Sequence, residues 1–429
     1  MRPLPSPAPA NDREKTPQLA PALALIPDAP RLDSPESSIA IGGSPDRRVV
    51  SIYEPMAAFE LVEELDFLTD RSLEPNAFFT PQFLIPAMPR LDERHVRLLI
   101  ARDEDERRSR LRLLMPFSVE RAGLFFGPRT VRAWSHPFGP VGTLPVDGDD
   151  PSGTLESLLS TLVAPQFKLP PILVLPDQRL DGPVVNRLMR RTEAAGLPSL
   201  VVDRRSRAAL VANRGGSFRA ENLSAKQRRE FARQRRMLER DGPVRIECAV
   251  APAAVRDAVE EFLSLEASGW KGRARSAMLL DRYRAAFARE AMNGLAEAGR
   301  VRVFTLRVGA SAVASLIVLV VKGEATLWKT AYDERHAAAS PGFQIIVEAS
   351  EALMADPGVR HVDSCAVPGH SLMERLWPDR VSIGTIVVGL RPGDIGGVAR
   401  AAKGLTRLSS ARYRAWQARR AVARLITRR

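Results

Sequence analysis

Only two cysteines occur in 429 residues, Cys248 and Cys365, and they lie far apart outside any CxxC pair. Neither a zinc knuckle nor a disulfide framework is available to such a chain, and a reducing compartment is the natural reading. Long apolar runs are missing as well: the stretch at residues 315–321 falls far short of the roughly 20 residues that cross a bilayer. Near the amino terminus one apolar patch, residues 19–26, is broken by Pro21 and stops at Pro27, which makes a poor secretory core. The expectation is a cytoplasmic protein, with the inner membrane face as its one peripheral station. There is no GxSxG elbow, Walker loop, GxGxxG turn or HExxH helix, which argues against a serine hydrolase, an NTPase, a dinucleotide enzyme or a zincin. No metal is expected.

What is present is ordinary in bulk and uneven in detail. Apolar residues at 45% and charged residues at 26% suit a soluble protein with room for two or three cores. Residues 1–47 hold ten prolines and little apolar periodicity, and read as a disordered leader. The net charge of +13 is concentrated: ten cations and no carboxylate follow Asp394, while residues 224–242 carry seven basic and three acidic side chains. A polyanionic partner would have to meet one of these two elements.

Periodicity from Arg48 onward gives an α/β unit over 48–215. It comprises a strand at 49–53, a helix at 55–68 with Phe59, Val62 and Leu65 on one face, strands at 96–100 and 111–119, a helix at 154–163, a strand at 172–175, a helix at 183–195 and a strand at 199–203. A second unit, 216–395, opens with Ser224 as N-cap of a helix to 240. A strand at 244–250, helices at 252–267 and 281–298, and strands at 301–308, 312–321 and 325–332 follow. Then come a helix at 341–355, a strand at 359–364 and a last strand near 383–390. This order, with its antiparallel hairpins, predicts an α+β fold in which a mixed, mostly antiparallel sheet is flanked by helices. Residues 396–429 read as a basic amphipathic helix.

Three signatures stand in sequence within the second unit. They are Ser264-Leu265-Glu266-Ala267-Ser268-Gly269-Trp270-Lys271-Gly272-Arg273, then Trp328-Lys329-Thr330-Ala331-Tyr332-Asp333 leading to Ser340-Pro341-Gly342, and Val362-Asp363-Ser364-Cys365 leading to Trp377-Pro378. Together they resemble the acyltransferase domain of the GNAT superfamily in its BioF2-like or CelD-like branch, a relative of the FemAB aminoacyl transferases. The resemblance implies tandem GNAT-like domains, the second carrying the chemistry. It also implies an acetyl-CoA or other acyl-CoA donor and direct acyl transfer to an amine or hydroxyl of a small molecule or glycan, in exopolysaccharide, cellulose or cell-envelope synthesis. Aminoacyl transfer from tRNA, or a membrane-surface scaffold of the same fold without catalysis, are the alternatives.

The residues themselves suggest where such chemistry sits. Ser340 as N-cap and Pro341 at the first helical position create a helix start whose amides and dipole favour a phosphate. With Gly342, Phe343 and Gln344 this turn matches the place where the resembled fold holds the coenzyme pyrophosphate, although Ala337-Ala338-Ala339 replaces a glycine-rich approach. Trp270, Lys271 and Arg273, with Tyr332, Asp333 and Arg375, are the expected substrate-binding residues: an indole for stacking, charges for pairing. A helix C-cap whose cations answer the helix dipole would leave the same pattern at 269–273. Asp363, His370 and Glu266 are the expected catalytic bases, since transfer to an amine or hydroxyl needs a proton acceptor. Cys365, flanked by His361 and His370, raises the separate prospect of a covalent intermediate.

Two basic surfaces complete the reading. Arg229, Arg233, Arg236 and Arg240 share one face of the 224–240 helix, suited to phosphates of coenzyme A, lipid or RNA, or simply to water. Residues 398–429 interleave Leu405, Leu408, Tyr413, Trp416, Val422 and Ile426 with ten cations. That pattern suits an anionic membrane surface; a nucleic-acid contact, or packing of the apolar side onto the second domain, would leave the same pattern.

Overall fold

A computed structural model describes residues 35–42, 47–92, 94–104, 109–123, 127–211, 217–367 and 369–426, the last eleven by backbone alone. The leader expected over 1–47 lies outside the described residues as far as residue 34. Its end is corrected: Ser37–Ile41 form a strand, β1, paired antiparallel with β2 (Arg47–Tyr53). The remaining strands are β3 (Arg97–Glu104), β4 (Ser109–Arg121), β5 (Arg129–Ala133), β6 (Ile172–Arg179), β7 (Ser199–Val211), β8 (Val244–Ala249), β9 (Val301–Val308), β10 (Ser311–Val321), β11 (Glu324–Tyr332), β12 (His361–Asp363) and β13 (Asp379–Gly389).

All thirteen join one sheet in the order β1-β2-β3-β4-β5-β6-β13-β7-β12-β11-β10-β9-β8. Apart from β1 the order is palindromic. Five strands run inward from each side, the two parallel pairs, β5 with β6 and β11 with β12, occupy equivalent places, and β13 and β7 pair antiparallel at the centre. Each half thus receives its sixth strand from the other: β7, from the first half of the chain, pairs with β12, and β13, from the second half, pairs with β6. The units read at 48–215 and 216–395 therefore trade strands across one sheet. The α+β architecture, a mostly antiparallel sheet flanked by helices, is the expected one.

Local signals explain most elements. Ser224 accepts the N–H of Gln227 while Gln227 accepts that of Ser224, a reciprocal cap that starts the helix Ala225–Glu239. Phe231 and Leu238 of that helix enter the core around β10 and β11. The face read at Phe59, Val62 and Leu65 is corrected. Residues Pro55–Leu61 form a 3-10 helix before the α-helix Val62–Arg71, and the tighter turn rotates Phe59 and Val62 outward while Leu65 stays buried. Ring contacts staple the halves together. Phe83, on the helix Pro81–Leu91, meets Phe287 of the helix Arg282–Glu297 at 5.1 Å and Trp328 of β11 at 5.9 Å. Such pairs contribute about 0.5–1.5 kcal/mol each beyond the area they bury.

Candidate active site

β11 and β12 are joined only through Glu324 with His361, Ala325 with Val362 and Thr326 with Asp363. β11 nevertheless runs on to Tyr332. Among the described residues one edge of β11 has no strand beside it beyond Thr326, and the gap opens as a cleft of about 570 Å³. Residues 327–330 and Tyr332 form one wall, residues 364–366 and His370 another, the turn at Ser340–Phe343 closes one end, and Trp270 and Lys271 stand at the rim. Within β11 the register against β10 slips so that Ile317 faces Lys329 and Val318 faces Leu327, leaving Trp328 as the extra residue of a β-bulge. The bulge re-aims two side chains. Trp328 donates its indole N–H to the carbonyl of Phe138 at 2.7 Å, and the Lys329 ammonium lies 4.2 Å from the centre of the Phe138 ring.

The equivalent gap in the first half is laced shut. After β5 the chain turns back so that Gly142 N–H donates to Asp177 O at 2.9 Å and Gln178 Nε2 donates to Gly142 O at 2.6 Å. Asn76 Nδ2 holds the carbonyls of Val141 and Thr143. The same segment carries Phe138 to the other half's bulge and gives the Pro140 carbonyl to Arg207.

The turn before the helix Pro341–Ala355 borders the cleft, and its expected serine cap is corrected. Ser340 adopts a left-handed conformation, φ 48° and ψ 54°, and its side chain does not cap the helix. Its carbonyl instead accepts the N–H groups of Phe343 and Gln344, leaving the Gly342 N–H without a partner among the described residues. Ser340 Oγ lies 3.2 Å from Nε2 of Gln234, so the arginine-rich helix Ala225–Glu239 is anchored at this turn. Gln344 is fully buried and donates to the Ala339 carbonyl, which sets it behind the turn and not in the cleft. The turn can take a phosphate through one amide and the helix dipole, with no glycine-rich cradle around it.

The structure separates the expected catalytic groups. Asp363 is buried behind the cleft, where Arg207 donates to it at 2.5 Å and Cys365 N–H at 2.9 Å. Despite the opposing effect of burial, these partners and Arg179 hold its carboxyl below the usual carboxylate range. It is a structural ion-pair partner, which corrects its reading as a base. Glu266 is likewise committed: one oxygen accepts from Lys271 Nζ at 2.7 Å and the other from the Met278 N–H at 2.9 Å. His370 does border the cleft, but it caps the helix Ser371–Leu376, with Nδ1 3.4 Å from the Met373 N–H. A neutral ring that accepts at Nδ1 carries its proton on Nε2, so it presents a donor and not a base. Cys365 also borders the cleft; burial and then Asp363 push its thiol up to about 12, so it is no thiolate at neutral pH.

Among the expected binding residues, Trp270, Lys271 and Tyr332 line the cleft. Gly272 allows the tight Trp270–Arg273 turn, since a β-carbon there would stand 1.7 Å from the carbonyl of Ala267. Arg273 points away and pairs with Glu334, whose other oxygen accepts the Trp270 N–H. Asp333 caps the next turn and pairs with Arg335, which holds its carboxyl low. Arg375 turns back onto the Ser371 carbonyl of its own helix. These three are therefore corrected to framework positions. Sequence reasoning passed over Lys329 and Phe138. Lys329 sits inside the Trp328-Lys329-Thr330 signature and is signalled only as the one cation of β11. Phe138 lies 190 residues from Trp328, and no local pattern links them.

Residues 225–370 match the family profile of the acetyltransferase (GNAT) domain. No curated protein matches the sequence. Among solved structures, FemX has a TM-score of 0.53 at 8% identity, covering 79% of this chain and 98% of its own, and so shares the fold. Two others are similar at lower scores. One is the C-terminal domain of a putative lysylphosphatidylglycerol synthetase from Agrobacterium fabrum, with TM-score 0.47, 14% identity, and 80% and 94% of the two chains covered. The other is a tandem GNAT protein from the clavulanic acid biosynthesis pathway, with TM-score 0.37, 13% identity, and 80% and 100% covered.

Proposed function

We propose that this chain, an acyltransferase with a GNAT acetyltransferase domain on a FemAB-related fold, takes an acyl group from an acyl-CoA thioester and passes it directly to an amine or hydroxyl. The reaction is assigned to the cleft between β11 and β12. The observation that carries this reading is the unpaired edge of β11, which offers main-chain hydrogen bonds to an extended donor and ends at the helix start of Ser340–Phe343. The donor's acyl carbonyl would take an N–H from that edge, its pyrophosphate the Gly342 amide, and its thioester sulfur the Nε2–H of His370 as it leaves. The acceptor enters from the side of Trp270 and Lys271. A sugar, an exopolysaccharide precursor or another cell-envelope compound is its proposed class.

Calorimetric titration of the full chain with acetyl-CoA and a long-chain acyl-CoA tests the donor. A Gly342→Asp variant should weaken binding about tenfold or more, because its β-carbon would come 3.2 Å from the Tyr332 ring and its charge would oppose phosphate. Absence of binding to both donors removes the acyl-CoA reading.

A second reading, aminoacyl transfer from tRNA, is favoured by one feature. Arg229, Arg236 and Arg240 are exposed with no acidic partner among the described residues, on the helix that Gln234 ties to Ser340. Protection of that helix by aminoacyl-tRNA, lost on charge reversal of the three arginines, would support it. Absence of protection would reject it.

A further inference from the structure

We propose that Lys329 is the catalytic residue that accepts the proton of the acceptor. This rests on the acyl-transfer reading and gives that reaction the base that the sequence placed elsewhere. The argument begins with what lines the cleft. Its wall residues include no carboxylate, and the titratable side chains among them are Lys271, Lys329, Tyr332, Cys365 and His370. Lys271 is tied to Glu266 at 2.7 Å, His370 presents a donor, and Cys365 is a neutral thiol. Lys329 is different in kind. Its Nζ has no hydrogen-bond partner among the described residues, resting instead on the faces of Phe138 at 4.2 Å and Trp328 at 5.8 Å.

The position follows from the fold. Lys329 adjoins the bulge residue Trp328, on the strand whose open edge is assigned to the donor, and Phe138 from the first half supports it from behind. The charged groups facing it come from three other elements: Glu266 on the helix Pro252–Ser268, Lys271 on the turn Trp270–Arg273 and Arg284 on the helix Arg282–Glu297. Burial holds the Lys329 ammonium down to about 8. Glu266 opposes that shift, while Lys271 and Arg284 add to it. A sizeable neutral fraction therefore exists at slightly alkaline pH, and a neutral amine beside a thioester can take a proton that a carboxylate elsewhere would take.

The step balances without a further reagent. The acceptor nitrogen or oxygen bonds to the acyl carbon, its proton passes to Nζ of Lys329, the carbon–sulfur bond breaks, and the thiolate leaves on the Nε2–H hydrogen bond of His370 and takes its proton from solvent. Lys329 then returns its proton to solvent.

The test uses the full chain in two measurements. In the first, thiol release from acetyl-CoA is followed from pH 6 to 10 with primary amines and amino sugars as acceptors. Wild-type turnover should rise with pH through about 8. Lys329→Met should lose the rise and about 10² or more in kcat. Lys329→Arg should fail equally, since guanidinium keeps its proton, whereas a role in charge or packing alone would be rescued by arginine. Wild-type rates in either variant overturn the proposal. If no thiol is released and calorimetry shows no donor bound, the acyl-transfer reading falls and takes the proposal with it; a bound donor with no release under any acceptor overturns the proton role alone. The second measurement needs no acceptor. After reductive methylation with ¹³C-formaldehyde, the resonance missing from Lys329→Arg should titrate near 8 and shift when acetyl-CoA is added. Titration near the ordinary lysine value of about 10.4 overturns the proposal.

Discussion

Single side chains in this protein divide between those that hold the sheet centre and those that face the cleft, and sequence alone does not sort them. Asp363 and Lys329 stand in equally suggestive motifs, yet one is sealed against Arg207 and the other lines the cleft. The difference is made by Arg207, 156 residues from Asp363 in the chain, and by Phe138, both supplied by the first half. Asp363→Asn should therefore act on stability. It leaves a buried guanidinium short of its anion, at about 3–5 kcal/mol, read as a lower denaturant midpoint with turnover per folded molecule retained. Equal stability with turnover reduced about a hundredfold would return Asp363 to the chemistry. Glu74 supplies a pH signature. It is buried, its Oε2 accepts the Val184 N–H at 3.3 Å, and its other oxygen has no partner. Burial, opposed by Arg179, raises its carboxyl from 4.5 to about 7. The folded state then holds a proton that the unfolded state releases, so stability should fall as pH rises from about 4.5 to 7 and level off above. Glu74→Gln should remove that slope and raise the pH 8 stability by up to about 3 kcal/mol, with little change at pH 4.5. A variant no more stable at pH 8 would mean that Arg179 keeps Glu74 ionised.

Elements with a clear period were legible, and those written in proline were not. The hairpins from β9 to β11 and the capped helix from Ala225 follow from alternation and an N-cap signal. The helix Pro81–Leu91 holds prolines at 86 and 89 in its interior, and only packing against Phe287 and its neighbours sustains it. The C-terminal helix, Ile395–Ile426, joins a packed stretch to an exposed one, for which packing and a proposed membrane contact are two roles that its composition merged. Val398, Ala401 and Leu405 pack against Ala122, Ile172, Val174 and Val387, whereas residues 410–415 are exposed. Trp416, Val422 and Ile426, read as membrane-facing, have side chains outside the described residues. The two roles separate by truncation. A chain ending at Pro392 should lose the cover of β6 and β13 and melt lower, while one ending at Ser409 should keep its melting temperature. The shorter loss removes seven of the ten cations after Asp394, worth about 1 kcal/mol each at an anionic surface, so vesicles rich in phosphatidylglycerol should bind the full chain and release the Ser409 form. Equal co-sedimentation of both would remove the membrane role.

At the scale of the molecule, the α+β class and the doubling were legible, but the exchange of β7 and β13 was not, because strand partners hundreds of residues apart leave no local mark. Neither half closes its sheet alone: residues 1–215 lack β13 and residues 216–429 lack β7. Each fragment expressed separately should be unfolded by circular dichroism, the two co-expressed should associate, and the intact chain should melt in one transition. A fragment that folds alone with a cooperative transition would show the exchange to be dispensable. The segment after β5 seals one gap and, through Phe138, backs Trp328 and Lys329 beside the other, so on the proposed reading it also divides the specification of the reaction along the chain. On that reading the thioester site lies within residues 225–370, whereas the support of the proposed proton acceptor is partly written at residues 134–142. Substitutions in that short stretch would then retune the proton acceptor while the proposed thioester site stays as it was, so a new working pH would be reached by drift in one loop.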